Sequence, residues 1–78
     1  LYSQDPLDLI TTIEEDPASL TSNALTRIIF HERRQHVKFI PCPNVRGRLE
    51  PKTARVVIGD NNFQPPFTYH HAYDIAAL

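Results

Sequence analysis

Proline constrains the fold of this chain more than any other residue type. It occurs at seven positions in 78 residues. Each proline fixes its own φ angle, lacks an amide proton and restricts the residue before it. Asp5-Pro6 and Asp16-Pro17 both suit the start of a helix, because the aspartate can cap the first turn and proline fits the first helical position. Pro41, Pro43 and the pair Pro65-Pro66 break the chain further along. We therefore expect short elements bounded by these positions.

Apolar spacing predicts two helices in the N-terminal half. The first covers about 6–15, where Leu7, Ile10 and Ile13 recur every three residues. The second covers about 17–34 and has the strongest periodic signal in the chain. Its apolar stripe, which we expect to face the core, consists of Leu20, Ala24, Leu25, Ile28 and Ile29.

From residue 36 onward the pattern favours strands. Alternating residues predict strands over 36–40, 54–58 and 67–70, with a loop or bent edge strand over 44–53. The tail, 72–78, suits either a helical turn or an extended arm. The predicted fold class is α+β, with two N-terminal helices packed on a small antiparallel sheet of about three strands. The alternative is that helix and strands extend apart and complete the core of another chain.

The length allows a single small domain, with a helical part over 5–35 and a strand and loop part over 36–78. Its core must be thin, since a chain this short buries only about 60% of its unfolded surface. The sequence begins at Leu1 and contains no methionine. This indicates a processed or excised piece of a larger protein.

Charge is segregated along the chain. Residues 1–26, the acidic segment, carry five carboxylates and no lysine or arginine. Residues 27–55, the basic segment, carry all eight lysines and arginines against two glutamates. This pattern has two interpretations: the two segments pair with each other when the chain folds, or the basic segment forms a surface for a phosphate or an acidic partner.

Several chemistries lack support in the sequence. Neither a phosphate-binding loop nor a G-x-G-x-x-G motif occurs, and Cys42 is the only cysteine. The histidines do not combine with Cys42 in the ligand spacing of a structural zinc site. We therefore expect no enzymatic activity, cofactor, metal or evident small-molecule substrate. No apolar run is long enough to span a membrane, and we expect an intracellular protein, cytoplasmic or nuclear, that is not secreted.

The predicted function is a non-enzymatic protein-interaction or structural module within a larger protein or assembly. The alternative is RNA binding through the basic segment. The proline-rich arm, 63–69, is a second candidate contact, because such a segment can lie in the groove of another chain. The predicted partner-binding residues are Arg33, Arg34, His36, Lys38, Arg46, Arg48, Phe67 and Tyr69.

Overall fold

The computed structural model describes residues 1–57 and 64–78 of the chain. The described residues form one α-helix, five short strands and two 3-10 turns. The 3-10 turns cover Leu7–Leu9 and Ile75–Ala77. The other elements are β1 (Tyr2–Ser3), β2 (Thr12–Glu15), α1 (Leu20–Glu32), β3 (Lys38–Pro41), β4 (Thr53–Arg55) and β5 (His71–Ala72).

The strands of this part of the chain form one mixed sheet in the order β3-β2-β4-β1-β5. β2 is parallel to both β3 and β4, whereas β1 is antiparallel to β4 and β5. The overall class is α+β, but the prediction of two helices on a three-stranded antiparallel sheet is wrong. Parallel strands cannot be joined by a tight hairpin, so the chain crosses over the sheet between β2 and β3 and again between β3 and β4.

Two crossovers cover the two faces of the sheet. The chain leaves β2, forms α1 and returns as β3, so α1 lies over one face, which we call the helix face. The next crossover, residues 42–52, joins β3 to β4 and lies over the opposite face, which we call the loop face. Since side chains alternate along a strand, successive residues of β2 point to the two different layers: Ile13 packs in the apolar cluster under α1, and Glu14 pairs with Arg55 beneath the loop.

The apolar core lies on the helix face and is small. Its buried members are Leu1, Ile10, Ile13, Phe30, Ala54 and Val56. Partly buried side chains, including Val37, Phe39 and Tyr73, extend it. The radius of gyration, 11.3 Å, agrees with the value of about 11.5 Å expected for a compact domain of this length. The alternative of helix and strands that extend apart is therefore not the observed arrangement.

The predicted first helix, 6–15, does not form. Pro6 is followed by only one 3-10 turn, and the chain then becomes β2. β-Branched Thr11, Thr12 and Ile13 favour an extended backbone, and carboxylates at the C-terminal end of a helix would oppose its dipole. The spacing of three between apolar residues arose from a turn followed by a strand, not from a helical period.

The remaining strands agree with the prediction in part. The strand predicted over 36–40 is present in part as β3. The strand predicted over 54–58 is present only at its start, in β4, because Val56 and Val57 belong to no strand and Ile58 lies outside the described residues. Residues 67–70 form no strand; β5 begins at His71 instead. The tail ends in a 3-10 turn. β1 was not predicted, because two residues are too few to show an alternating pattern.

A helix is present in the region predicted for the second one, 17–34, but it is shorter, Leu20–Glu32, and follows Ser19 rather than Asp16. Most of its predicted apolar stripe faces outward instead of toward the core. Its buried residues are Asn23, Thr26 and Phe30, which lie on one side at helical spacing. The Asn23 amide donates to the Asp16 carbonyl over 2.7 Å and accepts from the Asp16 amide over 3.2 Å. Phe30 is 1% exposed. These anchors turn Leu20, Leu25 and Ile28 away from the sheet, whereas Ile29, which also belongs to the predicted stripe, packs against the core.

Candidate functional site

The outward stripe of α1 is an exposed apolar surface. Leu20 is 78% exposed, Ile28 is 55% exposed and Leu25 is also exposed. With Thr21 and Ala24 these residues line a shallow groove of about 490 Å³. A second groove of about 360 Å³ shares Leu25 and Ile28 with the first and reaches Leu78. We call the surface formed by residues 20, 21, 24, 25, 28 and 78 the α1 groove.

The C-terminal end of α1 closes with two backbone hydrogen bonds typical of a Schellman motif. The Arg34 amide donates to the His31 carbonyl, and the Gln35 amide donates to the Phe30 carbonyl. Arg34 takes the left-handed conformation, with φ of 56°, at a position usually occupied by glycine. This end of the groove therefore carries an exposed arginine in a backbone position that disfavours it.

Two arginines lie at this end of the groove. Arg33 lines the second groove and pairs with Asp8, whereas Arg34 follows it in the chain and has no ion-pair partner among residues 1–57 and 64–78. Glu32 is an acidic side chain that also lines the second groove. Lys38 is unpaired among the same residues, but its side chain points to the loop face, because its neighbour Phe39 packs in the core on the helix face. Arg34 therefore supplies an unpaired positive charge next to the α1 groove.

The edges of the sheet offer little for strand addition. In β3 the amides of Lys38 and Cys42 donate to β2, so by alternation the outward amides belong to residues 39 and 41. Residue 41 is proline and has no amide proton. The opposite edge, β5, is two residues long. A partner strand would therefore find few hydrogen-bonding groups at either edge.

Ion pairs connect the acidic and basic segments. Each of the three salt bridges in the described structure joins a carboxylate of residues 1–26 to an arginine of residues 27–55. The Arg27 guanidinium makes two 2.8 Å hydrogen bonds to Glu15 and lies over the ring of Phe39. Pairing within the chain thus accounts for Arg27, Arg33 and Arg55, and other basic side chains remain for a partner.

The loop face is organised by a buried ion pair. Arg55 is 2% exposed, and its Nε donates to Glu14 Oε1 over 2.6 Å. The remaining guanidinium nitrogens donate to the carbonyls of Val45, Gly47 and Arg48. Since these bonds bind the backbone of the crossover, Arg55 determines where the loop lies. Buried charges require such partners, because an unpaired charge has a large desolvation cost.

The crossover loop that Arg55 binds contains a tight turn with an exposed arginine on each side. The Gly47 amide donates to the Asn44 carbonyl, and the Asn44 side chain accepts from the Arg46 amide. A Cβ on Gly47 would lie 3.1 Å from the Asn44 carbonyl oxygen, so the close turn favours glycine. Arg46 and Arg48 flank this glycine with exposed side chains.

Aromatic side chains lie beside this loop. Tyr2, Phe67 and Tyr69 contact each other edge to face, with ring centroids 4.7 to 6.4 Å apart. The Arg55 guanidinium lies 4.7 Å from the centroid of Phe67. An open cavity of about 690 Å³, which we call the arginine cavity, lies next to the loop. Its lining residues are Gln4, Asp5, Arg46, Arg48, Leu49, Pro51, Phe67, Thr68 and His70.

The eight predicted partner-binding residues fall into two groups. Arg33 and Arg34 follow α1, with His36 and Lys38 leading into the edge strand β3. Arg46 and Arg48 lie in the loop over the opposite face, and Phe67 lines the arginine cavity with them. Tyr69 packs on Tyr2 and Phe67. The N-terminal residue of the arm 63–69, Phe63, lies outside the described residues.

Sequence reasoning missed the α1 groove, although four of its six residues, Leu20, Ala24, Leu25 and Ile28, belong to the predicted stripe. It also missed Asp5 and His70 in the arginine cavity. The prediction lacked a way to decide which side of an amphipathic helix faces the sheet. The buried polar residues Asn23 and Thr26 on the other side were the available signal.

Cys42 is a poor nucleophile in this fold. Burial and the hydrogen bond from its Sγ to Glu14 Oε1, 3.4 Å long, raise the pKa of the Cys42 thiol above its ordinary value. The neutral thiol is less reactive than the thiolate. Within the described residues no three His, Cys, Asp or Glu side chains gather as metal ligands.

Comparisons with protein-family models, with curated proteins and with solved structures each found no match to this chain. The only α-helix among the described residues, α1, is 13 residues long. No helix in residues 1–57 or 64–78 has the length and apolar content that crossing a bilayer requires.

Proposed function

We propose that this chain is a non-enzymatic protein-interaction module that acts in a larger protein or assembly and docks one amphipathic helix of a partner on the α1 groove. The observation that carries the proposal is the orientation of α1, because Leu20, Leu25 and Ile28 point away from the sheet that the described residues form. Exposed apolar surface of this kind is typical of interaction sites. The poorly accessible sheet edges favour a helix over a strand as the occupant.

The size of the groove is consistent with a helical occupant. Residues 20–32 extend about 18 Å at 1.5 Å per residue, which matches three to four turns of a partner helix. Leu20, Leu25 and Ile28 present an apolar seam, on which a partner helix would place apolar anchors of its own at spacings of three and four.

The charge around the groove specifies the polar side of the partner. Arg34 adds an unpaired positive charge beyond the C-terminal end of α1, and no acidic residue lies in the first turn of α1. We therefore infer that the partner helix carries acidic residues next to its apolar stripe, at the end that meets Arg34. Such complementary charges increase specificity and association rate.

Arg34 supports this assignment independently. A left-handed residue other than glycine costs about 1 kcal/mol or more. Arg34 bears that cost without an ion pair among the described residues. A glycine would be more stable at this position, so the local fold does not explain the arginine, and its exposed side chain is available to a partner.

The test uses synthetic helical peptides with one leucine stripe and a polar side that is acidic, neutral or basic. The chain, labelled with ¹⁵N, is titrated with each peptide. We expect the acidic peptide to bind most tightly and to shift the amide resonances of residues 20–34. Leu20→Ser combined with Ile28→Ser should weaken binding about tenfold or more, because both removed side chains would be buried in the complex.

The matched controls separate surface from fold. Val45→Ser removes an exposed apolar residue of the crossover loop and should leave peptide binding unchanged. Arg34→Gly should weaken binding of the acidic peptide while raising stability, whereas Arg34→Lys should retain binding. Equal binding of all three peptides, or no shift along α1, would refute the proposal. Concentration-dependent dimerisation lost in Leu20→Ser and Ile28→Ser would instead identify a second copy as the occupant and overturn the partner-helix assignment.

A further inference from the structure

The arginine cavity lies on the loop face, apart from the α1 groove, and combines groups that recognise a phosphate. Arg46, Arg48 and His70 line it together. Arginine is suited to phosphate because its planar fork can donate two parallel hydrogen bonds. Neither Arg46 nor Arg48 forms an ion pair within the described residues. We propose that this cavity binds the phosphate group of a ribonucleotide, either as a free nucleotide or as part of single-stranded RNA.

The cavity is organised before any ligand arrives. Arg55 binds the carbonyls on both sides of Arg46 and on Arg48 itself, so the backbone that carries the two arginines is held from beneath. Glu14 in turn holds Arg55. A held backbone reduces the ordering cost of binding. Arg55 and Glu14 are therefore positioning residues for this site.

The other lining residues favour a nucleotide over a bare phosphate ion. Phe67, Leu49 and Pro51 form an apolar wall that suits a base. Asp5 contributes a carboxylate, of which Oδ2 accepts from the Lys52 amide and Oδ1 has no hydrogen-bond partner among the described residues. A carboxylate would only repel inorganic phosphate, but it can accept from a ribose hydroxyl.

The dimensions agree with a ligand of this class. The cavity volume, about 690 Å³, falls within the range of about 300 to 1,000 Å³ that small-molecule sites occupy. Tyr69 lies against Phe67 at the surface and provides an exposed ring beside the cavity. Exposed rings near cations are how many proteins stack unpaired bases.

The experiment titrates the full ¹⁵N-labelled chain at low salt with three probes: inorganic phosphate, uridine 5′-monophosphate and a short oligouridylate. We expect both uridine probes to shift resonances of residues 46–49 and 67–70 and to bind more tightly than inorganic phosphate. Arg46→Ser combined with Arg48→Ser should weaken their binding about tenfold or more, since charge-assisted hydrogen bonds are lost.

The control is a variant with the same loss of charge elsewhere. Arg34→Ser combined with Lys38→Ser should leave uridylate binding unchanged, because those residues lie outside the cavity. Similar affinities for monophosphate and oligonucleotide would identify a free nucleotide as the ligand, and a much tighter oligonucleotide with a steep salt dependence would identify RNA. Equal weakening by the two variants, tightest binding of inorganic phosphate, or no shift in residues 46–49 would overturn the proposal. None of these results depends on the helical peptides, so this site can fail while the α1 groove stands.

Discussion

At the scale of single residues, Arg55 connects the sheet to the crossover loop. It lies in the central strand β4, forms the ion pair with Glu14, donates to three carbonyls of the crossover and packs on Phe67. The loop face thus has a polar centre where the helix face has an apolar one. Such a centre is stable only when every charged group in it is satisfied.

The first prediction concerns this pair. Arg55→Met should lower the free energy of unfolding by about 3–5 kcal/mol, because it leaves the Glu14 carboxylate buried without its partner. Glu14→Leu combined with Arg55→Met should recover part of that loss, since neither charge remains. Urea denaturation followed by far-UV circular dichroism measures both. A double variant no more stable than Arg55→Met would contradict the explanation.

A second prediction at this scale follows from the raised pKa of Cys42. The folded chain holds the thiol proton more tightly than the unfolded chain, because burial and Glu14 disfavour the thiolate. The stabilisation from the neutral thiol is therefore complete below the unfolded pKa and is lost as the pH rises through the folded pKa. We expect the stability difference between the native chain and Cys42→Ser to shrink between pH 7 and pH 10. Urea titrations across that range measure it, and a difference that stays constant would show that the thiol titrates equally in both states.

At the scale of elements, α1 shows what the sequence could and could not predict. Its approximate location follows from the sequence, because a helical period is a local signal. The predicted start at Asp16-Pro17 was wrong: the helix begins at Leu20, and Asp16 accepts from the amides of Ala18 and Ser19 in the turn before it. Its orientation does not follow from the sequence, because it depends on Asn23 binding the backbone of Asp16 and on Phe30 filling the space over the sheet. Both are contacts with residues that sequence periodicity cannot place.

The third prediction tests this orientation directly. Phe30→Ala should destabilise the fold by about 3–4 kcal/mol, because the ring is buried. Ile28→Ala, two residues away on the exposed stripe, should change the free energy of unfolding by less than about 0.5 kcal/mol. Denaturant titration of both variants decides between the two sides of the helix. A large effect of Ile28→Ala would mean that the aliphatic stripe faces the core.

The same reasoning explains β2 and the candidate sites. Strand β2 has β3 and β4 as neighbours and a covering layer on each face, so Ile13 and Glu14 are both buried and the alternation in burial that marks a half-exposed strand is absent. Arg46, Arg48 and Phe67 could be selected by residue type, since exposed arginines and aromatic residues recur at binding sites. Their grouping with Asp5 and His70 could not, because it requires the crossover that brings 42–52 over the sheet.

At the scale of the whole molecule, one sheet serves two half-cores. Phe30 and Ile13 pack on the helix face, and Glu14 and Arg55 lie on the loop face. Both groups depend on the same two strands, β2 and β4. Neither half-core is large. Loss of either face should therefore expose the strands on which the other depends, and the two faces should unfold together.

Cooperative unfolding provides the last prediction. Far-UV circular dichroism reports α1 on the helix face, and alkylation of Cys42 by a short pulse of iodoacetamide reports the loop face, where its Sγ bonds to Glu14. At a fixed mildly alkaline pH, we expect both signals to change at the same urea concentration, as two-state behaviour requires. Phe30→Ala should lower both midpoints equally, although Phe30 lies on the opposite side of the sheet from Cys42. The opposite outcome is alkylation at a lower urea concentration than the loss of helix, with a Phe30→Ala effect on the dichroism midpoint only. It would show that the loop face opens on its own and that the sheet does not hold the arginine cavity in place.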